Sequence, residues 1–167
     1  WHGRSRKFEQ PNEVSQREKN ESEIIFFYLY CPDLRLFIRD ELDKRDINDF
    51  NTDYISLIWN SISNIEEQYL GQNYLNKLKN SKSKDLVKEF SEINLISLIP
   101  DHLSLNNSDL TNKFNFFINP NELFLTILDS PKDNLLGTLS LLERYKSLKR
   151  CRHLIQSWGS HRLKTLE

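Results

Sequence analysis

Hydrophobic positions recur along most of this chain three and four residues apart, the spacing of one face of an α-helix. The clearest case lies within Tyr54 to Leu70, where Ile55, Ile58, Trp59, Ile62, Ile65 and Tyr69 share a face and Thr52 or Asp53 supplies the cap. A denser block precedes it, Ile24-Ile25-Phe26-Phe27-Tyr28-Leu29-Tyr30. Periodicity alone would also allow a buried strand there, but the helical neighbours favour a helix. Cys31-Pro32-Asp33 then starts a helix from Pro32 to about Lys44, with Asp33 at the positive end of its dipole and Lys44 and Arg45 near the negative end.

Beyond Gln72 the pattern shortens. Gln72 to Lys82 predicts a short helix and a loop, and Leu86 to Ile99 predicts one or two short helices that Pro100 closes. Leu110, Phe114, Phe116, Phe117 and Ile118 mark another helix, and Asn121 to Leu128 a further short one, with Leu123, Phe124, Ile127 and Leu128 inside. Asn119-Pro120 and Ser130-Pro131 each place proline one position after a capping residue, a helix-start signal. The longest element runs from Lys132 to Trp158, with a stripe at Leu135, Leu139, Leu142, Tyr145, Leu148, Cys151, Ile155 and Trp158. At 1.5 Å per residue it would extend roughly 40 Å, more than a small body needs, so it should project. Gly159 is a candidate left-handed cap, after which Ser160 could open another helix. The predicted class is all-α, a multi-helix bundle followed by a long C-terminal helix.

The first twenty residues carry Pro11 and no usable period, and read as a tether. Trp1 and His2 belong to that tether rather than to a ligand site. The 167 residues, 38% hydrophobic, suffice for one core with an appendage. A formal net charge of -1 lacks the footprint of a nucleic-acid binder taken whole, so basic surface must be local. Methionine is absent even at position 1, which reads as a segment of a longer polypeptide. The longest apolar stretch, Ile24 to Cys31, is well short of the roughly 20 residues of a membrane span, and with no secretory signal the expected compartment is the cytoplasm.

Candidate chemistry is sparse. Gly3, Gly71, Gly137 and Gly159 cannot assemble a phosphate-binding loop, and Cys31 and Cys151, far apart, read as reduced packing residues rather than metal ligands. Asp40, Glu41 and Asp43 beside Lys44 and Arg45 read as a solvated surface, as do Glu66 and Glu67. His102 has a carboxylate neighbour but no nucleophile or second ligand, and reads as a loop histidine. No catalytic residue, cofactor, metal or small-molecule substrate is implied. The terminal stretch differs: Arg144, Lys146, Lys149, Arg150, Arg152, His153, His161, Arg162 and Lys164 crowd the apolar stripe, with Glu143 and Glu167 the only acids after Asp133. Such a stripe can pack wholly on the core, its charges hydrated, or it can stay partly bare as a partner-binding arm.

Several of these segments together resemble a known family. The helix Ile24 to Tyr30 with Cys31-Pro32-Asp33-Leu34, the Phe37-Ile38-Arg39 helix with Phe50 after its loop, Leu57-Ile58-Trp59, and Leu141-Leu142-Glu143-Arg144 leading to Leu148-Lys149-Arg150-Cys151-Arg152-His153-Leu154 resemble the helicase-binding C-terminal domain of bacterial, DnaG-type DNA primases. The resemblance implies a flexible linker over 1–20, a bundle over 21–130 similar in fold to the amino-terminal domain of the replicative helicase, and over 131–167 the first arm of a helical hairpin. It implies a non-catalytic piece that recruits the primase to the helicase for primer synthesis, meeting nucleic acid only weakly or indirectly. A docking surface needs an apolar centre and a charged rim: Leu142, Tyr145, Leu148 and Trp158 suit the centre, and Lys146, Lys149, Arg150 and Arg152 the rim. Two other readings stay open, a direct nucleic-acid binder using the basic helix and the helicase amino-terminal domain itself.

Overall fold

Residues Ile24 to Leu29 are all buried, six consecutive positions that point to every side of the element carrying them. A helix that is apolar all round belongs inside a protein, and this one lies in the middle of the computed structural model. The structure describes the backbone of residues 3–80, 83–106, 109–120 and 122–166, and within these the side chains outside 3–15, 105–106, 123 and 160–166. The expectations about Trp1, His2, Asn121, Glu167 and the side chains of Leu123, His161, Arg162 and Lys164 fall outside the described residues.

Among the described residues the chain is helical and without strands. The helices are α1 (Gly3–Tyr30), α2 (Arg35–Lys44), α3 (Asp53–Leu70), α4 (Tyr74–Asn80), α5 (Lys84–Glu92), α6 (Leu95–Asn106), α7 (Asp109–Ile118), α8 (Glu122–Thr126) and α9 (Pro131–Leu166). Short 3-10 turns, Pro32–Leu34 and Ile127–Asp129, lead into α2 and α9. The all-α expectation holds.

α3 packs on α6 and α7, and of its predicted face Ile55, Ile58, Trp59, Ile62 and Ile65 are buried, whereas Tyr69, near the end of the helix, is exposed. Phe90, Leu95, Ile99, Leu103, Phe114 and Phe117 from α5, α6 and α7 complete that side of the core. On the other side α1 lies along α9. Thr138 donates to Glu23 at 2.7 Å, and Arg17 stacks over Tyr145 at 5.9 Å, so contacts descend α1 as they ascend α9 and the two helices are antiparallel.

Several expectations need correction. Residues 3–20 of the expected tether are helical, since α1 begins at Gly3. Its C-terminal end is held by tertiary bonds: Asn20, Glu21 and Ser22 are buried, and Tyr54 donates to Glu18 at 2.7 Å. Glu21 also does the work expected of a cap on α3, accepting from Asn51 N at 2.7 Å, Thr52 N at 2.9 Å and Thr52 Oγ1 at 2.8 Å. A carboxylate at that helix end is favoured by the exposed amides and the dipole together. Pro100 does not end a helix but lies inside α6, which forgoes the bond that its missing N–H would have made. α9 likewise runs through Gly159 to Leu166, because one glycine costs a helix only about 1 kcal/mol.

Glu66 is the largest departure from the sequence reading. It is completely buried rather than solvated, and it bonds Arg39 at 2.5 Å, Tyr28 at 2.5 Å and Tyr74 at 3.0 Å. Arg39 lies 4.1 Å over the Trp59 ring and also donates to Ser63. Arg35, equally buried, donates to the carbonyls of Tyr28 and Ile93, both at 2.8 Å, tying the end of α1 to the end of α5. The buried charges of Glu21, Arg35 and Glu66 are therefore matched by partners, the condition under which burial is tolerated.

Candidate partner-binding surface

Helix α9 begins at Pro131, which needs no N–H donor at that position, and its first bond is Asn134 N to Ser130 O at 3.1 Å. Thirty-six residues at 1.5 Å each make it about 54 Å long. The apolar stripe changes character half-way along. Leu135 and Leu139 are fully buried and Leu142 is 5% exposed, whereas Leu148 is 42%, Leu154 66%, Ile155 69% and Trp158 67% exposed. The facing part of α1 explains the change: its buried apolar run begins at Ile24, while residues 16–19 are Gln, Arg, Glu and Lys.

The predicted docking residues therefore separate into three groups. Leu142 and Tyr145 were expected at an exposed apolar centre; Leu142 lies in the core, and Tyr145 is half-buried against it beneath Arg17. Lys146 and Arg150 were expected on a charged rim, and both instead reach the loop after α2, where Asp46 has φ 55 in the left-handed region. Lys146 bonds the Asp46 carbonyl and lies 3.1 Å from its carboxylate, with Arg150 3.4 Å from the same oxygen. Leu148, Lys149, Arg152 and Trp158 remain on the exposed surface, as does Ile155, which belonged to the stripe but not to the expected docking set. Cys151 is exposed there too, so it is not a packing residue.

Asp46 is the organising residue that sequence reasoning missed. Hydrogen bonds from Lys146 and from Asn48, reinforced by the nearby positive charges, hold its carboxyl below the usual carboxylate range. Beside it Arg45 bridges Glu143 at 2.6 Å and Glu41 at 3.3 Å, so the loop grips one face of α9 at three successive turns. Nothing nearer in sequence than α9 itself announces this pairing.

His102 lies within α6 rather than in a loop, at a shallow depression shared with Asn64, Glu67 and Gln72. Among the described residues no group of three His, Cys, Asp or Glu could hold a metal, and no helix is long and apolar enough to cross a membrane.

Residues 143–167 match the family profile described as cyanobacterial DNA primase DnaG, C-terminal domain. The whole chain is also 33% identical, over 168 aligned residues, to a DNA primase from Synechococcus elongatus. The chain is thus similar to the C-terminal domain of DnaG-type primases. It spans 23% of the length of that cyanobacterial relative. No solved structure matches. The profile match begins at Glu143, one residue past the last buried leucine of the α9 stripe, and takes in the exposed Leu148, Leu154, Ile155 and Trp158.

Proposed function

We propose that this domain recruits its parent primase to the replicative helicase, and that the distal half of α9 is the docking element. One coincidence carries the reading: the family match and the exposed hydrophobic ridge occupy the same stretch of helix. A ridge formed by Leu148, Ile155 and Trp158, flanked by Lys149 and Arg152, has the apolar centre and cationic rim from which protein interfaces are built. The buried half of the helix holds the ridge in place on the bundle. Primer synthesis would belong to the rest of the parent polypeptide, acting in the cytoplasm, with this piece contributing position rather than catalysis.

The test is capture of the helicase amino-terminal domains by the immobilised chain, run beside a DNA titration. Capture should weaken about tenfold or more with Ile155→Ala and Trp158→Ala together, since truncating central apolar anchors commonly costs that much. It should fall only modestly with added salt. Steeply salt-dependent DNA binding without helicase capture would instead make α9 a phosphate-binding element.

A further inference from the structure

A groove of about 620 Å³ lies where the last turn of α3 meets the end of α5 and the start of α6. Its apolar lining comes from Leu70, Ile93 and Leu98, and Tyr69 joins them with 61% of its surface exposed. That volume falls inside the range of ordinary ligand pockets, roughly 300–1,000 Å³. An exposed tyrosine ring in such a groove offers its face to a further side chain.

The charged residues that line the groove are both acids, Glu89 and Glu92, one turn apart on α5. Glu89 makes no ion pair or hydrogen bond among the described residues. Glu92 meets Lys88 at 3.9 Å, between two largely exposed side chains, a pairing that water screens. Backbone polarity acts in the same direction, because α3 ends at Leu70 and sets the negative end of its dipole at the groove. The opposing positive ends are answered inside the fold: Asn94 Oδ1 accepts from Ser97 N at 3.4 Å at the start of α6, and the buried Arg35 gives its donors to the carbonyls of Tyr28 and Ile93. The groove therefore carries negative charge that no cation of the fold takes up strongly.

We infer that this groove docks an arginine-bearing peptide segment of another protein, an apolar neighbour of the arginine seated on Leu70, Ile93 and Leu98 and the guanidinium held by Tyr69 and the carboxylates of Glu89 and Glu92. Charge complementarity selects the occupant. An acidic segment would be repelled, and a neutral one would leave both carboxylates unmatched. Arginine suits the site better than lysine, because its planar group stacks on an aromatic face while its fork of donors meets carboxylates. No residue of α9 lines the groove, so it is separate from the proposed helicase-docking ridge.

The probe is a fluorescein-labelled peptide with one leucine between two pairs of arginines, followed by fluorescence anisotropy on the full chain. Saturable binding is expected, lost when the arginines become glutamates and weakened a few-fold when they become lysines. Glu89→Lys, at an exposed position, should weaken binding about tenfold, as charge reversal at a complementary contact does. Tyr69→Ala should weaken it a few-fold through loss of the stacking face, with far-UV circular dichroism confirming an intact fold. Asp129→Lys makes the same change in net charge at an exposed position outside the groove and should leave binding as it was. No saturation, indifference to Tyr69→Ala, or equal weakening by Asp129→Lys would each overturn the assignment. Self-association of the chain alone in analytical ultracentrifugation, abolished by Glu89→Lys, would seat the basic arm of a second copy in the groove and overturn it as well.

Discussion

The two halves of α9 share one hydrophobic period yet meet opposite fates. From Leu135 to Leu142 the stripe is sealed against the bundle, and from Leu148 to Trp158 it faces outward on the same continuous helix. An apolar stripe shows which face of a helix seeks cover without specifying what supplies it. Cover comes from α1 where that helix is apolar and stops where it turns polar, so a single stripe can serve folding at one end and association at the other. Exchanging the properties of the two halves is therefore the most direct way to break the comparison.

The largest effect should come from below the buried half. Glu66→Ala would leave Arg39 charged and desolvated beside two buried tyrosines, a loss of about 3–5 kcal/mol, read from the midpoint of urea unfolding. Leu139→Ala should follow at about 2–5 kcal/mol through loss of packing and the cavity left behind. The equivalent truncation in the exposed half, Trp158→Ala, should move stability by no more than about 0.5 kcal/mol. Equal losses at Leu139 and Trp158 would abolish the distinction between the halves.

Much of this contrast could be read before any coordinates. The helical period identified α3, and Ser130-Pro131 marked where α9 begins, because both signals are local. The length of the stripe also implied that a small body could not cover all of it. The sequence did not disclose where cover would stop, since that depends on which part of α1 lies opposite. Glu66 was misread for a related reason: Glu66-Glu67 is polar in sequence, but only Glu66 turns inward, toward an arginine and two tyrosines from other helices. Asp46 went unnoticed because its partners, Lys146 and Arg150, lie on the last helix of the chain. The candidate surface was legible in outline, and the division of its residues between core, loop clamp and open ridge was not.

Tyrosine ionisation gives a sharper view of the buried side. Burial, together with the nearby Glu66 carboxylate and despite Arg39, pushes the Tyr28 and Tyr74 hydroxyls up, and burial with a hydrogen bond to Glu18 pushes Tyr54 up to about 12. Their folded-state pKa values lie above the unfolded value of about 10, so the stability they contribute is complete below that pH and is withdrawn as pH rises through and beyond it. Absorbance at 295 nm should accordingly show Tyr28 and Tyr74 ionising only as the chain unfolds in alkali. Smooth titration of all six tyrosines before any loss of helix would mean that the core beside Glu66 is wetter than this packing allows.

The smallest effect lies at the boundary between the halves, where the loop after α2 holds α9 through Asp46. Because the Asp46 carboxyl is held below its ordinary range, the stability it lends is present above the unfolded carboxylate pKa, about 3.9, and is lost as pH falls through the lower folded value. Asp46→Asn removes the charge at neutral pH and leaves the side chain's shape nearly intact. Amides over 146–152 should then exchange with deuterium a few-fold faster, while those over 135–142, pinned by buried leucines, keep their wild-type rates. The difference should shrink as salt rises, because an exposed ion pair is screened whereas leucine packing is not. Faster exchange spreading equally into 135–142 would mean that the helix loosens as one unit, with Asp46 supporting its whole length rather than marking the place where it leaves the bundle.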